Sequence, residues 1–226
     1  MFKALFNLFF PEICLACLKP LLDNEFTICT NCRHDLPVTN FHFNNTNNLV
    51  KKTLYGRAEI EQATSLLYFE KKSIVQQLMH QLKYKNQPKL SAFLGNWLGL
   101  ELAKCKDYQN IDVIIPVPLH YKKLKKRGYN QVQGFGKSLA KHLNSNYIDN
   151  VLIKTTNTTS QVKKTRLERW QVKKELFTTQ NLNLIKGKHI LLVDDIITTG
   201  ATLENCILEL KKAENIKISI AVMAIA

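Results

Sequence analysis

From about residue 62 onward the sequence predicts an open, mostly parallel α/β sheet, with a small metal-binding module in front of it. Three observations carry this. First, the runs "IDVIIPVPL" (111–119), "HILLV" (189–193) and "ISIAVMAI" (218–225) are nearly continuous in apolar residues, as suits parallel strands buried on both faces. Second, amphipathic helical segments lie between the strands, and alternation of this kind builds parallel sheets. Third, two CxxC pairs stand at the head of the chain. The expected division is 1–50 for the cysteine module and its linker and 51–226 for the α/β domain.

The chain has 226 residues and 45% hydrophobic content, enough for a packed core. No segment reaches the roughly 18 apolar residues of a membrane span, so a cytoplasmic protein is expected. The opening "MFKALFNLFFPEIC" is short and apolar, and it reads as a helix packed on the fold rather than a signal peptide. Formal net charge is +14, unevenly spread. Residues 1–50 are net −1, residues 51–110 net +5 and residues 111–226 net +10. Such a field favours phosphate-bearing partners, either a small phosphorylated ligand or nucleic acid, although lysine-rich usage on an ordinary surface is the plainer reading.

In chain order, "CLAC" (14–17) and "CTNC" (29–32) are two knuckles separated by eleven residues. Each CxxC turns both thiolates to one side, and two together offer a tetrahedral S₄ site suited to structural Zn²⁺ on Cys14, Cys17, Cys29 and Cys32. Disulfides are the competing reading, which a cytosolic chain disfavours. Cys105 and Cys206 read as buried apolar residues. The Asn- and Thr-rich stretch that follows the module reads as a linker. "QATSLLYF" (62–69) reads as a strand, and "SIVQQLMHQLKY" (73–84) as a helix with Ile74, Leu78 and Leu82 in phase. Pro88 ends that helix, and another begins at "KLSAFLGNWLGLELAK". The strand at 111–119 is followed by "HYKKLKKRGYNQ", read as a loop, and by the helix "QVQGFGKSLAKHL" with Val132, Phe135, Leu139 and Leu143 inward. "VLI" (151–153) is a short strand, and a basic stretch runs from it to Phe177. The last two strands flank one more helix. Ligands of open α/β sheets bind outside the carboxyl ends of the strands, where segments 116–131, 154–172 and 194–202 fall.

The segment "HILLVDDIITTGATLENC" (189–206) holds the chemistry. Thr198, Thr199, Gly200, Ala201 and Thr202 lie between a strand and a helix N-terminus, where outward N–H groups and the helix dipole favour an anion. This is a phosphate cradle without the GxxxxGK[ST] of a Walker loop. Asp194 and Asp195, just before it, can accept hydrogen bonds from two vicinal hydroxyls. A ribose 5-phosphate unit would satisfy both features, and a capped strand-to-helix turn would need only one of these side chains.

"LLVDDIITTGAT" closely resembles the phosphoribosyl pyrophosphate (PRPP) motif of type I phosphoribosyltransferases. With "IIPVPLHYKKLKKRGYNQ", "SQVKKTRLERW" and the two CxxC knuckles, the chain looks like the ComF family of competence-related proteins. The resemblance implies a type I phosphoribosyltransferase topology behind a zinc-ribbon-like module. It implies that Asp194 and Asp195 hold the ribose hydroxyls, with Mg²⁺ bridging to pyrophosphate, and that Thr198 to Thr202 hold the 5-phosphate. Pro116, Val117, Pro118 and Leu119 would form the pyrophosphate loop, followed by Arg127, Asn130 and Gln131. Gln161, Arg166 and Arg169 would belong to the loop that covers the ligand, with Arg127 or Arg169 stabilising the departing charge. That segment departs from the family pattern, having Lys164 where a Leu is usual and Val172–Lys173 where an Asn-Val pair is usual. The family's association with DNA uptake and natural transformation implies handling of internalised single-stranded DNA, with DNA-uptake or recombination proteins as partners. Lys122, Lys123, Lys125, Lys126, Lys163 and Lys164, interleaved with Tyr121, Tyr129 and Trp170, suit such a strand. The alternative is an active phosphoribosyltransferase on an unidentified base or amine.

Overall fold

A computed structural model describes residues 11–43, 48–155 and 177–226. The expected N-terminal helix and the positions Gln161, Lys163, Lys164, Arg166, Arg169 and Trp170 lie outside these residues.

Five strands form one parallel sheet: β1 (Ala63–Tyr68), β2 (Val113–Pro116), β3 (Asn146–Tyr147), β6 (His189–Ile197) and β7 (Lys217–Ile225). Their spatial order is β1-β7-β6-β2-β3. β4 (Leu152–Lys154) and β5 (Phe177–Thr179) pair antiparallel as a separate two-stranded ribbon. The mostly parallel α/β fold read from the sequence is borne out. Every residue from Ile218 to Ile225 is buried, as expected of a strand flanked on both sides and covered on both faces.

Helices α3 (Ile74–Tyr84), α4 (Pro88–Leu102) and α6 (Gln133–Leu143) cover one face of the sheet. On α3, Ser73 caps the N-terminus by accepting from the Gln76 N–H, and the Gln76 side chain accepts in return from the Lys72 N–H at 2.7 Å. Its face of Val75, Leu78, Met79 and Leu82 is buried. On α4, Pro88 occupies the first turn, where a missing N–H costs nothing, and Leu90, Leu94, Leu98 and Leu102 form the inward stripe. α4 and α6 cross closely because Gly95 leaves room: a Cβ there would lie 2.6 Å from the Phe135 carbonyl oxygen. The four positions read as inward, the N-cap Val132 and Phe135, Leu139 and Leu143 of α6, are all buried.

The other face is covered by α2 (Leu49–Leu54), by α7 (Ala201–Leu210) and by the β4–β5 ribbon. The short α1 (Thr30–His34) follows the second cysteine knuckle. Two segments differ from the reading above. The stretch read as a linker, 38–52, runs into α2, whose N-cap Asn48 accepts from the Lys51 N–H. The loop read after β2 contains α5 (Tyr121–Arg127), capped by the His120 side chain and stopped at Gly128, whose φ is +80°.

The cysteine module shares the core of the first layer. Cys14, Leu15, Ile28, Cys32 and Leu36 pack in one cluster with Leu67, Leu78 and Leu82. The Arg33 guanidinium stacks 5.0 Å from the Trp97 ring on α4. Residues 37–39 then lie along β1: the Tyr68 N–H donates to the Pro37 carbonyl at 2.8 Å and the Thr39 N–H to the Leu66 carbonyl at 3.0 Å. This covers a sheet edge that would otherwise stay unpaired.

Candidate functional site

The apolar run of β6 drives it through the middle of the sheet, and pairing with β7 continues past Val193 to Ile197. The strand therefore carries both acids at its carboxyl end, where a loop was expected from residue 194. Asp194 continues the face of Ile190 and Leu192, and Asp195 that of Leu191 and Val193, so the pleat turns adjacent carboxylates toward different layers. Asp195 is held from the α3 layer by Lys83, with Nζ and Oδ2 3.1 Å apart. Burial raises Asp194 to about 8, and the charge of Asp195 adds to this, against the Asp195 N–H, Lys83 and Lys154. A neighbouring cation could therefore recover energy by ionising Asp194.

After Ile197 the chain turns through Thr198, Thr199 and Gly200 into α7. The backbone N–H groups of Thr198 through Leu203 donate to no acceptor among the described residues. Asp194 lines the same small pocket as this loop. Thr198, Thr199, Ala201 and Thr202 are exposed. Gly200 is required by both conformation and space. Its φ is +74°, and a Cβ would meet Leu54 Cδ2 at 3.0 Å and Thr53 Cγ2 at 3.1 Å. Arg57, beyond α2, braces the turn by donating to the Thr199 carbonyl and to the Glu204 carboxylate. Gly200→Ala is expected to cost about 1–2 kcal/mol, a fall of roughly 3–6 °C in Tm by calorimetry.

The second segment joins the first at the β2 end. The Val117 N–H donates to the Val193 carbonyl at 2.8 Å, placing Pro116, Val117 and Pro118 beside the acids. Asn130 braces this turn by donating to the Val117 carbonyl at 3.0 Å, and Gln131 is buried. Arg127 ends α5. Burial depresses Lys123, and the charges of Lys154, Arg127 and Lys83 depress it further, so these four cations share one electropositive region near Asp194 and Asp195. Lys122, Lys125 and Lys126 lie on the exposed side of α5. Lys83, Lys154 and Arg57 went unassigned in the sequence. The basic Lys83–Tyr84–Lys85 triplet closing an amphipathic helix was the one available hint, and Arg57 carried no motif at all.

Cys14, Cys17, Cys29 and Cys32 bring their sulfurs within 4.8 Å of one another, and Cys17 and Cys29 lie 3.9 Å apart. An S₄ tetrahedron with metal–sulfur bonds of ~2.3 Å has edges of about 3.8 Å, so the set fits a metal. All six cysteines are free thiols. Against burial, which raises it, Cys14 is lowered to about 7 by backbone hydrogen bonds involving Cys17, Cys29 and Ala16, whereas burial and Cys29 push Cys32 well up. Were all four deprotonated, thiolates at this spacing would need a cation among them.

Residues 133–225 match the phosphoribosyl transferase domain. This span includes β6, both acids and the loop 198–202. Across more of the chain, it is 28% identical over 209 residues to DNA utilization protein YhgH of Escherichia coli O157:H7, covering 85% of this chain and 87% of that one. It is 28% identical over 195 residues to competence protein F of Haemophilus influenzae, covering 84% and 80%. It is 35% identical over 111 residues to competence protein ComFC of Bacillus subtilis, covering 46% and 41%. The chain is a homologue of the ComF competence proteins. The ComF homologue thus places a phosphoribosyl transferase domain behind an N-terminal cysteine cluster, as its motifs led one to expect. Among its described residues no helix is long and apolar enough to cross a membrane.

Proposed function

We propose that this ComF homologue binds PRPP at the carboxyl end of β6 and handles internalised single-stranded DNA during natural transformation, in the cytoplasm, with PRPP as ligand or regulator. The observation that carries the reading is the pairing of a strip of unclaimed backbone N–H groups, Thr198 to Leu203, with a carboxyl group held near pKa 8. The strip suits the 5-phosphate, and Asp194 with Asp195 suits the ribose hydroxyls. Mg²⁺ at the pyrophosphate would supply the positive charge that ionises Asp194. Lys83, Lys123, Arg127 and Lys154 suit the pyrophosphate itself. Zn²⁺ is the metal proposed for the cysteine set, because an all-thiolate tetrahedron leaves no open position for chemistry. Arg169, Lys163 and Lys164 join this proposal from sequence alone.

The same cations support a second reading, transfer of the ribose 5-phosphate to a base or amine. Their charges lie near the acids, and Arg127 would stabilise the pyrophosphate oxygen that gains charge as its bond to the anomeric carbon breaks.

The deciding experiment measures PRPP–Mg²⁺ and a short single strand on the zinc-loaded protein, each alone and then together. A shift of DNA affinity on adding PRPP is expected. Binding of PRPP without any DNA binding at physiological salt would overturn the DNA reading and favour transfer. Replacing Lys122, Lys123, Lys125 and Lys126 together by Ser is expected to flatten the dependence of log K on log salt by roughly 3 units. An unaltered slope, read by anisotropy titration, would remove α5 from the DNA surface.

A further inference from the structure

α3 ends on Leu82, Lys83 and Tyr84, and each is committed differently. Leu82 is buried in the core, and Lys83 reaches Asp195. Tyr84 is left 67% exposed, and its hydroxyl has no partner among the described residues. A tyrosine ring standing in water forgoes the burial that makes an aromatic residue stabilising. Its ring nonetheless has a defined setting. The His80 ring one turn earlier lies 5.0 Å away at 42°, and the Arg127 guanidinium lies 5.7 Å from its centroid. Tyr129, which the sequence offers as a stacking residue, is half-buried and donates its hydroxyl to the Leu82 carbonyl, so its role is structural. Tyr121 is 65% exposed beside Lys122 on the neighbouring α5.

We propose that Tyr84, with the His80 ring and the Arg127 guanidinium beside it, is a stacking platform for one base of a single strand whose phosphates lie along the lysines of α5. This rests on the nucleic-acid reading above and names where a base would sit. Charge complementarity argues for the strand: Lys122, Lys125 and Lys126 present exposed cations on the helix that delivers Arg127 to the ring. A π-face flanked by a cation accepts any base, giving affinity without sequence preference. Arg127 beside Tyr84 and Lys83 beside Asp195 both act on Lys123, so a stacked base and a bound ribose phosphate would compete for or share the same cations.

The test uses the full metal-loaded chain, with Tyr84→Ala and Tyr84→Phe, against two labelled probes of equal length. One is oligothymidylate and the other an abasic strand with the same phosphates. Tyr84→Ala is expected to weaken oligothymidylate binding about tenfold, to the level of the abasic strand. Abasic binding should stay unchanged, and Tyr84→Phe should match the parent protein. Equal loss on both probes, or no loss on either, would overturn the platform. Should the parent protein bind neither strand at physiological salt, the nucleic-acid reading itself fails. A titration with free AMP then separates the cases: Tyr84-dependent AMP binding reassigns the ring to a free nucleotide, and either result overturns the strand proposal.

Discussion

Replacing Asp194 and Asp195 together by Asn is expected to lower PRPP affinity in the presence of Mg²⁺ by about three orders of magnitude, at two charge-assisted hydrogen bonds of roughly 1.5–3 kcal/mol each. Isothermal titration would read the loss, and unchanged affinity would sink the assignment of the acid pair. Global unfolding is separable through Asp194→Asn alone. The folded carboxyl sits near 8, far above the ordinary carboxylate range, so its contribution to stability is complete below about pH 4 and is lost as pH climbs toward 8. Removing a charge the fold disfavours should leave the Tm of the unliganded protein at pH 8 unchanged or higher. The same sign governs the ligand. If binding requires Asp194 ionised, affinity should rise about fivefold from pH 7 to pH 8, gain about twofold more by pH 9 and then level off, while Asp194→Asn gives a flat profile over that interval.

Removing the metal is expected to unfold far more than the knuckles. Cys14 is fully buried and Cys32 nearly so, in the core that also contains Leu67, Leu78 and Leu82. Structural Zn²⁺ in small modules supplies apparent binding free energies of about 10–16 kcal/mol, comparable to the whole stability of a domain. Chelation, or Cys14→Ser, should therefore lower the Tm of the entire chain by roughly 10 °C or more, as followed by far-UV circular dichroism. A module standing apart would give a separate early transition and leave the main one in place. Metal analysis of the purified protein tells zinc from other ions.

What the sequence revealed, and what it hid, follows the reach of local patterns. β2, β6 and β7 are legible because a strand covered on both faces must be apolar throughout, and α3, α4 and α6 because one face must repeat every 3.6 residues. The acid pair and the cradle declare themselves through an unusual sequence that is contiguous. α5 is hidden because Tyr121 and Leu124 are the only apolar residues among five cations, so no stripe marks it. α2 is hidden by its Asn-rich approach, although Asn48 is the residue that caps it. Arg57 and Lys83 reach the site from 147 and 112 positions away in the chain, counting to Glu204 and Asp195. Only the folded arrangement brings such partners together.

The strand order β1-β7-β6-β2-β3 also bears on how the protein is made. β2 can find β3 within a few dozen residues of synthesis, but among the described strands β1 pairs in the sheet only with β7, which comes after the other four in the chain and must wedge between β1 and β6. Until β7 emerges, both of its future neighbours present unpaired edges and apolar faces. The nascent chain is therefore an open sheet awaiting its keystone, exposed to aggregation until β7 has been made. The segment 37–39, already lying along the outer edge of β1, is positioned to shield part of that edge during the wait.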